Sequence, residues 1–306
     1  MESAYLNFYR NFYARTGGFM LTKPLNQVLY PGDFFQIRNG EMIVLGNIFR
    51  DGVVVSQDVE FGYGIKLNPS NWNFSDGISK PYSGRGSGRS PIDGEFEFSK
   101  QVIAFGRRGS FFFKTSEPEA VKIMNWSAIQ QQLIIRMTQT LFSFRELYIA
   151  TEIATTADWT LAIAGSENAE LEIATDSENF GLVDIFGHHS AKTMQSKEIE
   201  YYHREGHRRP SFFKAKKLVV QDEQLDVFVS DLIGQMAERD TWASGFYDYE
   251  FYHDTSYVSN VPVAAHISML DMLQANQLNP NTALLYFKWA DANMDDVEKL
   301  FLSYGR

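Results

Sequence analysis

An Asn-Gly pair, Asn39-Gly40, separates Phe34-Phe35-Gln36-Ile37-Arg38 from Met42-Ile43-Val44-Leu45. Asn-Gly between two β-rich runs is the strongest short-range hairpin signal, because both turn residues need positive φ and these two adopt it at little steric cost. The chain is therefore bound to contain antiparallel sheet. The same language continues through Val53-Val54-Val55, Val59 to Tyr63, the alternating Glu95-Phe96-Glu97-Phe98, Val102 to Phe105 and Ser110 to Phe113. Strands return from Glu146 to Ile153, with Trp159 to Ala164 expected as its hairpin partner and Leu171 to Ile173 after it. Lys197 to Tyr202 and Phe212 to Val220 read as another pair joined by a basic turn around Gly206. Between Asn68 and Gly94 the residues are polar and include Gly84-Arg85-Gly86-Ser87-Gly88-Arg89, which reads as a mobile loop.

Helical spacing interrupts this pattern in three places. Tyr5, Phe8, Tyr9, Phe12 and Tyr13 recur at three and four residues, with Ser3 as N-cap and Gly17-Gly18 as the stop. Such an aromatic stripe reads as core packing, with membrane contact as the alternative. Trp126, Ile129, Leu133, Met137 and Leu141 mark one face of a helix from Trp126 to Phe142. Beyond Gln221, helices are expected at Leu225 to Met236, Ala264 to Gln274 and Asn281 to Leu302, the last broken near Asn293. An aromatic, acidic patch from Trp242 to Tyr257 lies between the first two. The fold class is thus α+β, a mainly antiparallel twisted sheet with packed helices and a helical C-terminal segment.

Charge divides the chain at the same place. Residues 222–306 hold four basic and fourteen acidic residues, whereas 1–221 is balanced at twenty-four of each. Within the balanced part, 185–221 carries eight Lys/Arg against three Glu. A basic stretch followed by an acidic segment means that one covers the other, that each has its own partner, or simply ordinary surface variation.

The chain has no cysteine, which removes disulfides, thiolate ligands and cysteine nucleophiles. His188-His189 diverge on a strand, and His203 and His207 sit among arginines without an H-E-x-x-H pattern, so no metal or other cofactor is expected. Gly84 to Ser90 fits neither the phosphate-loop nor the G-x-S-x-G spacing, and no catalytic residue can be named. The expectation is a protein that is not an enzyme. Nucleic acid is not an expected partner either, given a pI of about 5.1 and no binding signature. Met1 to Tyr5 lack a signal-peptide pattern, and no run approaches the ~20 apolar residues of a membrane-spanning helix.

Two segments resemble the pore-forming domain of gasdermins, especially the short bacterial kind. Arg145-Glu146-Leu147-Tyr148-Ile149-Ala150-Thr151-Glu152-Ile153 is similar to that family's L-Y-V-V-T-E-V strand, which also follows helical sequence. Glu200-Tyr201-Tyr202-His203-Arg204-Glu205-Gly206, with Pro210-Ser211-Phe212-Phe213-Lys214-Ala215-Lys216-Lys217-Leu218, resembles the ending of the bacterial domain. The likeness spans about a third of the chain. Bacterial gasdermins often carry an acylated N-terminal cysteine, which this chain lacks, and end in a short tail where this one has about 85 residues.

The resemblance implies a cytoplasmic, autoinhibited pore former of bacterial defence and cell death. Residues 1–221 would form the pore-forming domain and 222–306 an inhibitory segment removed by an activating protease. The partners implied are anionic membrane lipid after activation and further copies of the chain in a membrane oligomer. Glu95 to Phe113 and Glu146 to Ile173 are the candidate inserting hairpins, since a transmembrane strand needs only ~9–11 residues. Candidate lipid-binding cations are Arg10, Arg15, Lys197, Arg204, Arg208, Arg209, Lys214, Lys216 and Lys217. The rival reading is a binding or scaffold module on the same fold, with the C-terminal helices a permanent part of one globule. An unrecognised hydrolase is the third.

Overall fold

The structure, a computed structural model, describes residues 2–25, 27–38, 40–90, 94–137, 147–175, 192–220, 284 and 287–300. Helix α1 (Glu2–Thr16) opens the chain, one residue ahead of the expected cap at Ser3. It ends where Gly17 and Gly18 take φ of +72° and +93°, and the Gly18 N–H reaches back to the Tyr13 carbonyl at 2.8 Å. That is the left-handed stop a glycine pair provides at least strain.

Sixteen strands follow among the described residues, in three antiparallel sheets. The first sheet contains β1 (Met20–Leu21), β2 (Asp33–Arg38), β3 (Glu41–Asn47), β4 (Phe61–Lys66), β9 (Glu119–Ile123), β10 (Leu147–Thr156), β15 (Arg209–Val220) and β16 (Phe287–Asp291). Its spine runs β1-β15-β10-β2-β3. The second runs β14-β11-β8-β5, from Ile199–Glu205, Asp158–Ala164, Phe111–Ser116 and Phe74–Asp76. The third runs β13-β12-β7-β6, from Lys192–Lys197, Glu170–Thr175, Gly94–Phe105 and Ile78–Ser90. Helices α2 (Trp126–Met137) and α3 (Met294–Lys299) complete the elements used below.

Strand β10 is covered on both faces, as its near-continuous apolar sequence requires. On one face Tyr148 and Ala150 join Phe35, Phe213, Ala215 and the aromatic stripe of α1. On the other, Leu147 and Ile149 meet Phe34, Leu218 and the Ile129, Leu133, Ile134 and Met137 face of α2. The α1 stripe is therefore core. Phe8 and Phe12 are fully buried, and the Phe12 ring lies 5.2 Å from Phe113, 5.5 Å from Phe212 and 5.6 Å from Trp72.

The mainly antiparallel α+β arrangement is the one expected, and β2 and β3 form the Asn-Gly hairpin with Gly40 at φ +77°. Several local expectations are corrected. The Gly-rich stretch expected as a mobile loop is strand β6, held by a ladder along β7 from Ile78↔Phe105 to Ser90↔Gly94. Cross-strand pairing outweighs the low β-propensity of its glycines. Strands β10 and β11 do not pair: β10 lies against β15, β2 and β9, and β11 against β14 and β8. Likewise β14 and β15 belong to different sheets. The candidate hairpin Glu95 to Phe113 spans β7 and β8 of different sheets, and Glu146 to Ile173 spans all three sheets. The helix expected from Asn281 to Leu302 contains strand β16 and then α3. Here the edge of β15 recruits Phe-Lys-Trp-Ala-Asp as a partner strand, overriding its helical spacing. The helices expected at 225–236 and 264–274, and the 242–257 patch, lie outside the described residues.

Candidate functional site: the C-terminal latch over basic side chains

Strand β15 is flanked by β10 on one side. Its other edge is shared by β1, opposite Phe212 and Phe213, and by β16, opposite Lys216 to Val220. The pairing of β16 extends through the Ala292 N–H, which donates to the Ala215 carbonyl at 2.9 Å. Asn293 then starts α3. Its side-chain oxygen accepts from the Asp295 and Asp296 N–H groups at 3.0 and 3.3 Å, and Asp296 Oδ2 accepts the Asn293 N–H at 3.0 Å. This reciprocal capping box matters for a six-residue helix, which has too few turns to hold itself. We call 287–300 the latch.

The latch is anchored by apolar burial and by charge. Phe287, Val297 and Leu300 are buried, and Trp289 packs edge-on against Trp126 at 5.6 Å while its indole N–H donates to the Gln130 carbonyl at 3.0 Å. Three of the nine predicted cations meet latch carboxylates. Arg10 grips Glu298 through Nε at 2.9 Å and a terminal nitrogen at 2.6 Å. Lys216 pairs with Asp291 at 2.7 Å and Lys217 with Asp296 at 2.8 Å. Lys23 donates to the Leu300 carbonyl. Gly40 lies beneath the same carbonyl: a Cβ there would stand 3.1 Å from its oxygen.

Asp296 is the centre of this contact. Its side chain is 5% exposed, and Oδ1 accepts from Lys217 and from the Tyr148 hydroxyl at 2.7 Å, with Lys299 at 3.6 Å. Burial alone would raise its pKa. The hydrogen bonds from Lys217, the Asn293 backbone and Tyr148 outweigh burial and hold the carboxyl below its ordinary 3.8. Asp296 is thus a carboxylate at neutral pH, joining α3, β10 and β15.

The other six cations do not gather into one patch. Lys214 shares Glu152 with Lys122, at 3.6 and 3.8 Å, and lies 4.5 Å over the Phe19 ring. Arg208 is clamped by Glu117 at 3.0 Å and Glu119 at 2.7 Å, and Arg209 pairs with Glu205 at 3.5 Å. Arg204 sits half-buried on β14 opposite Thr160. Lys197 is exposed at the end of β13, opposite Glu170, and Arg15 is exposed with its guanidinium 5.3 Å over Phe74. His203 lies against Trp159 at 4.4 Å, and burial lowers its pKa. Among the described residues no group of three His, Asp or Glu side chains is arranged to hold a metal.

The chain is similar to two solved gasdermin structures. One is a bacterial gasdermin from Bradyrhizobium tropiciagri, at 10% identity and TM-score 0.30, covering 69% of this chain and 88% of that one. The other is gasdermin A3 in the cryo-EM structure of its membrane pore, at 8% identity and TM-score 0.26, covering 70% and 89%. No protein-family model and no curated protein matches the chain.

Sequence reading named the cations of the latch contact and missed the groups that receive them: Asp291, Asp296 and Glu298, together with Tyr148 and Lys23. One signal was available, the Asn293-x-x-Asp296 spacing of a helix start. The partner of each carboxylate was not readable, because Asp296 and Lys217 are 79 residues apart.

Proposed function

We propose that the chain is an autoinhibited membrane pore former, with 1–221 as the membrane-active part and the acidic C-terminal segment as its restraint. The reading is carried by the β6–β7 ladder. Its register sets Glu95 opposite Arg89, Glu97 opposite Ser87, Ser99 opposite Arg85 and Gln101 opposite Ser83. The positions between them pair Phe96 with Gly88, Phe98 with Gly86, Lys100 with Gly84 and Val102 with Tyr82. Toward the base of the ladder the first row continues into Ile103 opposite Pro81 and the second into Ala104 opposite Lys80, but over these eight pairs one row is wholly polar and the other is apolar or small apart from Lys100. That is the dyad of a membrane β-hairpin, which shows lipid one row and water the other. The alternating stretch reaches about 26 Å, and the full strands of thirteen and twelve residues about 40 Å, against a hydrocarbon core of ~30 Å.

The restraint is the latch. It keeps Arg10, Lys216 and Lys217 engaged and closes the edge of β15. Proteolysis between the two parts frees these cations for anionic lipid, the chain moves from the cytoplasm to the membrane, and copies assemble there through their hairpins. Arg208, Arg209 and Lys214 take lipid only by exchanging the ion pairs described above and Arg15 by leaving the Phe74 ring, while Lys197 and Arg204 complete the candidate set.

A second reading is favoured by one observation. Strand β16 is in register in the main sheet, and Val297 and Leu300 belong to the same core as Phe12. That suits a single-globule binding module in which 287–300 is permanent structure. Dye leakage from anionic vesicles separates the two. Protein cut at a protease site engineered within 242–257 releases dye much faster than uncut protein does. If the cut merely unfolds the protein and no dye escapes, the binding-module reading takes its place.

A further inference from the structure

We infer that an anionic bilayer itself opens the latch, by taking Lys217 and its neighbours from their carboxylates, so that the uncut chain is gated by membrane charge. This rests on the autoinhibition reading and adds a trigger to it. The two members of the central pair differ in access: the Lys217 side chain is 21% exposed, the Asp296 side chain 5%. The cation therefore reaches the surface while the anion does not. Arg10, 54% exposed, meets Glu298 of the same helix α3, whereas Lys216, 24% exposed, projects from the opposite face of β15. Lys217 and Arg10 are drawn to an anionic bilayer, whose attraction adds over neighbouring Lys and Arg.

The consequence falls on Asp296. When Lys217 turns outward, the carboxylate keeps the Tyr148 hydroxyl, its own Asn293 N–H and Lys299 at 3.6 Å, all inside a buried site. A buried carboxylate that loses its principal cation is destabilised far more than an exposed one. Water becomes its better partner, and reaching water requires α3 to leave. Because the Asp296 side chain also caps α3, undocking removes the support of that short helix, so the open latch does not wait preformed to close again. A neutral bilayer offers Lys217 nothing and leaves the latch shut.

The chain has no cysteine, so single engineered thiols report opening directly. Val297→Cys lies in the latch and Ala120→Cys in β9 of the main sheet, each 1% exposed. Alkylation of Val297→Cys in the full, uncut chain rises roughly tenfold or more on vesicles of mixed phosphatidylserine and phosphatidylcholine. It stays unchanged on phosphatidylcholine alone and with inorganic phosphate at equal ionic strength, and Ala120→Cys stays protected throughout. Ala292→Cys, 6% exposed, is the second reporter should Val297→Cys fold poorly. Protection that persists on the anionic vesicles, failure to bind them, opening by phosphate alone, or parallel exposure of Ala120→Cys each overturns the proposal. Leakage by the cut protein with no opening of the uncut one sinks the charge gate and spares the pore reading. Opening without leakage from either form does the reverse.

Discussion

Replacing Asp296 with alanine undocks the latch and leaves the rest of the molecule folded. The substitution removes the acceptor of Lys217 and of the Tyr148 hydroxyl, and with it the side chain that closes the capping box of α3. Breaking a buried ion pair by removing one partner costs about 3–5 kcal/mol. Lys217, a fifth exposed, recovers some hydration, which puts the loss near the lower figure. Amide exchange across 287–300 then accelerates roughly a hundredfold relative to wild type, while β10 and the Phe12 core keep their protection. Because the Asp296 carboxyl is held below its ordinary 3.8 by its hydrogen bonds, its contribution is fully present above that value and is lost as pH falls below it. Latch protection in the wild type therefore drops on acidification through that range. In Asp296→Asn it starts lower and lacks that drop. Equal protection in wild type and Asp296→Ala at neutral pH would show that apolar contacts alone hold the latch.

Phe12→Ala is expected to destabilise the whole molecule by about 3–5 kcal/mol. Phe12 is fully buried where α1, β8 and β15 meet, ringed by Phe8, Trp72, Phe113 and Phe212. Its removal leaves a void that rings from separate elements cannot all close. At about 2–4 °C per kcal/mol, the midpoint of thermal unfolding falls by roughly 10 °C. The two substitutions differ in reach: Phe12→Ala weakens core and latch together, whereas Asp296→Ala weakens the latch alone. A fall of only a degree or two for Phe12→Ala would place the α1 stripe outside the core and reopen its alternative reading as a membrane-contacting face.

Features set by neighbouring residues were legible in the sequence. Asn39-Gly40 named a hairpin because the turn chemistry is local, and Gly17-Gly18 named a helix stop for the same reason. The α1 stripe and the α2 face followed from spacing alone. Partner choice was not legible. Trp159 to Ala164 follows β10 closely in sequence yet pairs in another sheet, since hydrophobic alternation says that a strand has a buried face and not which strand lies beside it. The glycines of β6 hid a strand whose order comes from β7. In the latch, the charges were visible on both sides as a basic stretch and an acidic segment. Their pairing depended on β16 folding back onto β15 across 66 intervening residues, 221–286. The nine cations shared a sign and no common address, and only Arg10, Lys216 and Lys217 meet the latch.

The most direct test of the restraint is a removable bond between latch and sheet. Lys216 and Asp291 face each other in the β15–β16 ladder. The neighbouring pair, Ala215 and Ala292, is joined by a backbone hydrogen bond, so Lys216 and Asp291 occupy the closer, non-bonded kind of position, the one a disulfide bridges most readily. Lys216→Cys with Asp291→Cys, cut within 242–257 and oxidised, is predicted to leave anionic vesicles intact and to release their dye once the bridge is reduced. Equal leakage with the bridge closed and open would contradict the claim that this segment restrains a pore former.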